Sequence, residues 1–236
     1  MPHDAPAEPV PGEPLRQVPS HGAGAASGAA SAVPGPAYRV HTPRLVIRCW
    51  EPRDAPLLSA AVEASLEELR AWMPWAAAEP KGLDARIEDL RRFRGNFDLG
   101  VDFMYAVLDR PETRVLGGTG LHTRAGERRE IGYWIHSGHV GRGLATEAAA
   151  ALTRVAFEVE RVRRVEIRCD PLNTRSSAIP ARLGYRHEAT LRGEAVAPDG
   201  GPRDTMVWGL LADEFPSSPA MASVVEAFDA AGRRIL

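Results

Sequence analysis

One stretch of this 236-residue chain, residues 130–147 (EIGYWIHSGHVGRGLATE), constrains the fold more than any other. It begins with alternating side chains, and Ile131, Tyr133 and Ile135 share one face of a predicted strand. Glycines follow at positions 138, 141 and 143, and a run rich in helix formers begins at Leu144. A strand, a glycine turn and a helix N-terminus leave free N–H groups in one place, so the stretch predicts a site for a phosphate or pyrophosphate.

The flanking sequence predicts one α/β domain. Strand patterns lie at 44–48, 103–108, 115–121, 130–135, 164–169, 185–191 and 205–211, and helical patterns lie near 54–62, 65–73, 83–97, 144–159 and 176–183. Three consecutive strands read as an antiparallel meander, and helices separate the later strands. This order predicts an α/β (α+β) fold with a mixed sheet.

Composition divides the chain into three parts. Residues 1–37 are rich in Pro, Gly, Ala and Ser with few large apolar side chains, so we expect a disordered tail. The folded domain is expected over 38–215. Residues 216–236 contain an amphipathic pattern around 221–231, which predicts an appended helix that docks on the domain or on a partner.

Charge and cysteine content exclude several functional classes. The formal net charge is −2, which gives no general attraction to nucleic acid or membrane. No apolar run approaches the roughly 18 residues of a spanning helix, and the N-terminus lacks the pattern of a secretory signal. Cys49 and Cys169 lie in no metal-ligand pattern, so we expect free thiols in the cytoplasm and no metal.

The glycine turn alone is a weak signal. It lacks the GxxxxGK[ST] pattern of a P-loop, and the glycines at 141 and 143 do not complete a dinucleotide-binding fingerprint. The strands before it form a meander rather than a βαβ unit. On spacing alone, a phosphate cradle is favoured only modestly over a structural turn.

A longer set of motifs is more specific. The segments GYWIHSGHVGRGLATEA and VRRVEIRCDPLNTRSSAIPARLGYRHEATLRG resemble the GNAT superfamily of N-acetyltransferases, and TPRLVIRCWEPRDAP and LRAWMPWA resemble its RimJ/RimL-like branch. That branch acetylates protein N-termini and other amino groups. The resemblance covers roughly residues 38–215 and implies a GNAT-type, mostly antiparallel central sheet flanked by helices, with acetyl-CoA as co-substrate.

The resemblance also implies which residues bind acetyl-CoA. The family's pyrophosphate loop has the form Arg/Gln-x-x-Gly-x-Gly/Ala, which Gly143 and Ala145 match, whereas Val140 replaces the basic or amide residue. Backbone N–H groups at the strand end would face the acetyl carbonyl and stabilise an oxyanion. The implied cofactor-binding residues are Ile135, His136, Ser137, Gly141, Arg142, Gly143, Leu144, Ala145, Thr146 and Asn173.

Asn173, Ser176 and Pro180 follow the fifth strand pattern and bear on protonation of the leaving thiolate. Asn173 matches an Asn that contacts cofactor or substrate in the family; an Asx-turn is its structural alternative. Many relatives carry a Tyr seven residues later, where this chain has Pro180. Ser176 is then the candidate acid, with the N-cap of the following helix as its alternative role.

The candidate general bases are carboxylates. Glu130 heads the strand and could face the cleft; alternatively it pairs with Arg128 or Arg129. Glu194 lies near a position where RimL-like enzymes carry Glu. Further polar candidates, each more often structural, are Tyr133, His122, His136 and His187.

Acceptor contacts are expected from Trp72, Trp75, Tyr133 and Asp204. Each Trp could equally cap the core, and Asp204 could serve the turn before the last strand. Trp72, Trp75 and the C-terminal helix are also candidate elements of a homodimer interface.

The sequence therefore predicts a cytoplasmic N-acetyltransferase that transfers acetyl from acetyl-CoA to a primary amine by direct attack. The acceptor is a protein N-terminal α-amine or a small-molecule amine, with no nucleic-acid or membrane partner. Two alternatives stay open: a non-catalytic acyl-CoA-binding regulator, which Val140 and Pro180 favour, and an acyltransferase that uses a longer donor such as succinyl-CoA.

Overall fold

The computed structural model describes residues 36–198 and 200–236. The predicted tail at 1–37 therefore lies almost entirely outside the described residues. In the described part, nine strands form one sheet in the order β7-β8-β6-β5-β4-β3-β2-β1-β9. Only β5 and β6 pair in parallel, and the other neighbours are antiparallel. The predicted fold class is confirmed.

The strands are β1 (Arg39–His41), β2 (Leu45–Cys49), β3 (Phe103–Asp109), β4 (Val115–Arg124), β5 (Arg128–Ile135), β6 (Arg164–Cys169), β7 (Arg186–Val196), β8 (Pro202–Leu211) and β9 (Glu226–Phe228). The helices are α1 (Ala55–Glu63), α2 (Leu66–Trp72), α3 (Leu83–Asp98), α4 (Leu144–Arg154) and α5 (Thr174–Arg182). No helix of the described ranges combines the length and apolarity needed to cross a membrane.

Each face of the sheet buries its own apolar cluster because strand side chains alternate between the two faces. On one face, the apolar stripe of α4, including Ala148 and Leu152, packs against Ile131 and Ile167. On the other face, Leu58 and Leu90 of the N-terminal helices pack against Ala106. The junction of β5 and β6 lies in the middle of this sheet, between the two groups of helices, and is the position to search for a functional site.

The strands β5 and β6 separate halfway along. Their parallel pairing runs from Arg128↔Arg164 to Ile131↔Ile167 and stops there. Beyond Ile131, β5 continues along β4 as far as the Gly117↔Ile135 pair. The result is a V-shaped opening whose β5 side has backbone groups free of a strand partner.

The predicted C-terminal helix around 221–231 is wrong. The segment forms two short 3-10 turns and then β9, in which Ala227 lies opposite Val40 of β1. Residues after a turn at Gly232 fold back, and the N–H of Ile235 donates to the carbonyl of Ala227 at 2.8 Å. The edge of β1 offers unpaired backbone groups, and satisfying them outweighs the weak helical pattern.

Candidate functional site

The glycine turn between β5 and α4 is an open backbone cradle. Gly141 and Gly143 both have φ +75°, which disfavours a side chain, and Gly143 is the residue that caps α4. Among described residues no hydrogen-bond acceptor is assigned to the N–H groups of 141–146, because the ladder of α4 begins with Glu147 donating to Gly143. Six consecutive amides and a helix N-terminus are therefore available to bind an anion.

Arg44 supplies the side-chain charge that Val140 lacks. Its Nη1 donates to the carbonyl of Arg142 at 2.7 Å, and its Nε donates to Glu147 Oε2 at 2.5 Å. Its Nη2 lies 3.6 Å from the position that a Cβ on Gly143 would occupy. Thr42 Oγ1 also donates to Glu147, at 2.6 Å. The bend before β2 thus holds a guanidinium beside the cradle, a contact that no local motif signalled.

The strand end offers fewer free amides than the sequence predicted. The N–H of His136 donates to the carbonyl of Leu116 at 2.8 Å, within the sheet. The N–H of Ser137 donates to Ser65 Oγ at 3.0 Å. Because amides alternate along a strand, the N–H of Ile135 points away from β4, into the opening beside β6. Ile135 is the member of this predicted trio whose N–H faces the opening.

A cavity of about 540 Å³ occupies the opening and the space beneath α1–α3. It is bordered by aromatic side chains, polar side chains near β6 and three glycines of β4 and β5. The residues on its lining that the sequence had named are Trp72, Trp75, His122, Glu130, Tyr133, Asn173 and Ser176. The ring centroids of Trp75 and Trp134 lie 6.2 Å apart, and Arg203 stacks over Trp72 with its Cζ 5.8 Å from the ring centroid. Large aromatic walls of this kind suit an extended organic ligand.

The start of α5 explains how Asn173, Ser176 and Pro180 are arranged. Asn173 is the N-cap, and its Oδ1 accepts the N–H of Ser176 at 3.1 Å, so the N-cap role considered for Ser176 is wrong. Pro180 has no N–H to donate to the carbonyl of Ser176. The hydroxyl of Tyr133 donates to that carbonyl instead, at 3.1 Å, and lies 3.3 Å from Ser176 Oγ. Two hydroxyls therefore meet on one side of the opening.

The predicted acidic residues have different surroundings. Glu130 Oε2 accepts from Arg124 Nε at 2.9 Å and lies 3.8 Å from Arg168, rather than pairing with Arg128 or Arg129. Arg128 and Arg129 instead face Glu166 and Glu160.

Glu194 and Asp204 lie outside the cavity lining. Glu194 is about half exposed and lies 3.6 Å from Arg168. Asp204 Oδ1 accepts the N–H of Gly193 at 2.9 Å, which ties the β7–β8 hairpin together. The turn role considered for Asp204 is therefore present in the structure.

A histidine and a carboxylate lie together on the other side of the opening. His122 Nδ1 is 2.9 Å from Asp102 Oδ2, and His122 lines the cavity. Burial acts to raise the pKa of Asp102, but the hydrogen bond and charge of His122 outweigh it and hold that pKa below its ordinary value. His122 was only a minor candidate from sequence, and Asp102 carried no signal because 20 residues separate the two.

Burial sets the protonation of the neighbouring groups. It raises the pKa of Tyr133 well above its ordinary value, so the phenol stays protonated at neutral pH. Burial likewise raises the pKa of Cys169, which keeps its thiol a poor nucleophile. Within residues 36–198 and 200–236, no group of three or more His, Cys, Asp or Glu side chains is arranged to hold a metal ion.

A family model described as an acetyltransferase (GNAT) domain matches residues 44–186. The chain is 30% identical over 183 residues to a putative ribosomal N-acetyltransferase of Bacillus subtilis, covering 72% of this chain and 93% of that protein. It is 26% identical over 186 residues to the ribosomal protein uS5-alanine N-acetyltransferase of Escherichia coli, covering 76% and 94%.

A solved structure of similar fold is Mycobacterium smegmatis RimJ in complex with CoA-disulfide. It superposes with a TM-score of 0.67 at 25% identity, over 78% of this chain and 90% of that one. The matched region of the family model contains the cradle, the opening between β5 and β6, and α5.

Proposed function

The chain belongs to the GNAT acetyltransferase family, and we propose that it acetylates the N-terminal α-amine of a protein. It is an N-acetyltransferase, and its donor is acetyl-CoA. The acceptor class is the proposed part. It is supported by relatives whose names describe acetylation of ribosomal proteins, one of them at an alanine.

The cradle is the observation that carries the donor assignment. A pyrophosphate needs several N–H donors and positive charge within a small volume, and Gly141 and Gly143 leave that volume free of side chains. The amides of 141–146 would hold the phosphate oxygens, and Arg44 Nη2 would reach them from the bend before β2. The residues present therefore fit the group.

Acetyl-CoA, when bound, supplies an activated thioester carbonyl. The N–H of Ile135 would donate to that carbonyl oxygen, where negative charge develops during attack. We assign Ser176 to proton delivery at the departing sulfur, with Tyr133 alongside. Cys169 does not act as an acyl carrier because its buried thiol stays protonated, so transfer is direct.

The cavity supports an extended acceptor. Trp72, Trp75 and Trp134 line the volume from which an amine would approach β5. Openings lined by rigid aromatic rings favour a peptide chain with apolar side chains over a small hydrophilic amine. If the acceptor is a ribosomal protein, we expect the enzyme to act in the cytoplasm, because ribosomal proteins are made there.

Val140 and Pro180 depart from the family pattern and were the reason to consider a non-catalytic regulator. In the fold, another residue supplies the group that each position lacks. Arg44 brings a cation to the cradle despite Val140. Tyr133 brings a hydroxyl to the start of α5 despite Pro180. Both departures are thus compatible with an enzyme.

The test uses purified protein, acetyl-CoA and peptides that begin with alanine, serine or methionine, with polyamines and aminosugars as small-molecule competitors. We expect CoA release with at least one peptide and mass spectrometry to place the added 42 Da on the α-amine. Acetylation only of small amines would overturn the acceptor assignment. Faster transfer from succinyl-CoA in the same assay would favour the longer donor.

The homodimer remains a prediction, and light scattering on the same preparation would test it.

A further inference from the structure

His122 and Asp102 form a dyad at the point where β5 leaves β6. We propose that His122 is the catalytic base that takes a proton from the acceptor amine, and that Asp102 positions it; this rests on the proposed N-acetyltransferase function. His122 Nδ1 lies 2.9 Å from Asp102 Oδ2, and Asp102 Oδ1 also accepts the N–H of Thr123 at 3.1 Å. Two hydrogen bonds therefore fix the carboxylate that orients the ring.

The dyad leaves one ring nitrogen free to accept a proton. An ionised carboxylate only accepts hydrogen bonds, so Nδ1 of a neutral His122 carries the hydrogen that Asp102 receives. Nε2 then has an unshared electron pair. In the described part of the chain, the hydrogen bonds of His122 involve Nδ1 alone, and no partner is assigned to Nε2.

The free nitrogen lies over β4 and β5, on the lining of the cavity. A Cβ on Gly120 would come within 2.4 Å of His122 Nε2, and one on Gly132 within 3.3 Å. Glycine at both positions is what lets the ring lie flat over β4 and β5. Gly132 directly follows Ile131, the last residue of β5 paired with β6, so Nε2 sits at the mouth of the opening.

The carboxylates named from sequence are less well placed. Glu130 lies directly opposite His122 in the β4–β5 register, but its Oε2 already accepts from Arg124. Glu194 is half exposed beside Arg168 and does not line the cavity. His122 combines cavity exposure, a free acceptor atom and an orienting partner, which is the geometry expected of a base.

An N-terminal amine, with a pKa of about 8, is mostly an ammonium at neutral pH. Nε2 of His122 takes one proton from it, directly or through one water, and so frees the nitrogen lone pair. The nitrogen–carbon bond to the acetyl group forms, the carbon–sulfur bond breaks, and the second amine proton goes to the sulfur. The imidazolium then returns its proton to solvent.

The charged groups that face His122 come from every neighbouring element. They are Asp102 before β3, Arg92 of α3, Arg124 of β4, Glu130 of β5 and Arg168 of β6. Asp102 is the one in direct contact with the ring. Its removal should therefore change the pH dependence more than removal of any of the others.

The experiment measures kcat/KM against pH for a peptide with a free N-terminal alanine at saturating acetyl-CoA. The variants are His122→Gln and Asp102→Asn, and His187→Gln is the control because His187 is exposed, hydrogen-bonds to Thr190 and is not on the cavity lining. We expect His122→Gln to lose about 100-fold or more, in line with general base catalysis. It should also change the pH dependence of kcat/KM, because the group that accepts the amine proton is gone.

Asp102→Asn should keep part of the activity and move the rising limb of the profile to lower pH, because the carboxylate that stabilises the imidazolium is gone. Nitrogen-15 NMR gives a readout besides activity: the wild type should show hydrogen on Nδ1 and none on Nε2. A merely structural role for His122 predicts reduced stability with an unchanged pH profile.

The possible failures are distinguishable. If the wild type acetylates no peptide or amine, the proposed function fails and the base role falls with it. If the wild type is active while folded His122→Gln keeps its rate within threefold and its pH profile, only the base role is overturned. Hydrogen on Nε2 in the neutral wild type would overturn the role assigned to Asp102.

Discussion

Gly143 shows how one residue can join backbone conformation to ligand binding. Its φ of +75° allows the chain to turn from β5 into α4, and its missing side chain keeps the anion position open. The same residue caps the helix whose first amides face that position. Both the turn and the cradle therefore depend on the absence of a Cβ.

Gly143→Glu should abolish CoA binding, because a side chain and a negative charge would both enter the anion position. Isothermal calorimetry should show a loss of at least about 100-fold in affinity, as expected for replacing favourable contacts by like-charge repulsion. Gly126→Glu is the matched control, since Gly126 has φ +72° in an exposed turn at the other end of β5. Unchanged affinity in a folded Gly143→Glu variant would refute the placement.

Arg44→Ala should weaken binding of donors that carry the pyrophosphate. We expect KM for acetyl-CoA to rise about 10-fold, the scale of one charge-assisted hydrogen bond, with little change in kcat. S-acetylpantetheine lacks the pyrophosphate, so its KM should not change. The control is Arg53→Ala, whose exposed side chain pairs with Glu51. An equal effect on both donors would mean that Arg44 acts only by holding Glu147 and α4.

At the scale of elements, the departure of β5 from β6 creates the site. Parallel pairing ends at Ile131, and from there the two strands are held apart by what they meet next: β5 follows β4 to Ile135, and β6 turns into α5 through Asn173. Pro180 contributes by freeing the carbonyl of Ser176 for Tyr133. A side chain of β5 is thus anchored to α5 across the opening.

The C-terminal segment is an edge strand, which a buried charge can test. Ala227→Asp should lower the free energy of unfolding by about 2 kcal/mol or more, because Ala227 is fully buried between β1 and the returning C-terminus. Ala231→Asp is the matched control, since Ala231 is exposed in the turn. Urea titration followed by tryptophan fluorescence measures both. Similar small effects at the two positions would argue against β9.

On the scale of the whole molecule, charges are numerous but closely paired. The chain has 29 basic and 31 acidic residues, and ion pairs connect distant elements, as Arg48 does with Asp54 and Glu112. Several carboxylates, among them Asp109 and Glu112, have a pKa below the ordinary value because hydrogen bonds and neighbouring arginines outweigh the effect of burial. These carboxylates therefore bind protons less readily in the folded state than in the unfolded chain.

The sign of the pH dependence follows from that difference. A carboxylate with a lowered folded pKa contributes stability that is present above its unfolded pKa of about 3.9 and is lost as the pH falls through the folded value. Asp109 accepts the N–H groups of Thr113 and Arg114 in the β3–β4 hairpin. Asp109→Asn should cost about 1 kcal/mol at pH 7. The difference should shrink as the pH falls below about 3.9 and should vanish below the folded pKa, because Asn resembles a protonated Asp. A difference that persists in acid would exclude the linkage; thermal unfolding at a series of pH values measures it.

The sequence alone was enough for the strand, glycine turn and helix at 130–147, and for most of the element order. These features depend on local backbone conformation and on side-chain periodicity, which neighbours in sequence decide. The two short strands at one end of the sheet were missed: β1 and β9 have three residues each, too few for a periodic pattern. Their pairing is a tertiary contact.

Only the tertiary structure decided which side chains surround the reacting groups. Arg44 contacts the cradle although 98 residues separate it from Arg142. Ser65 Oγ accepts the N–H of Ser137, and Asp102 hydrogen-bonds to His122 across the β3–β4 hairpin. The sequence suggested Glu130 as a candidate base, but in the fold its carboxylate accepts a hydrogen bond from Arg124. Long-range partners of this kind are set by sheet register and helix packing, which the pattern of one chain segment does not contain.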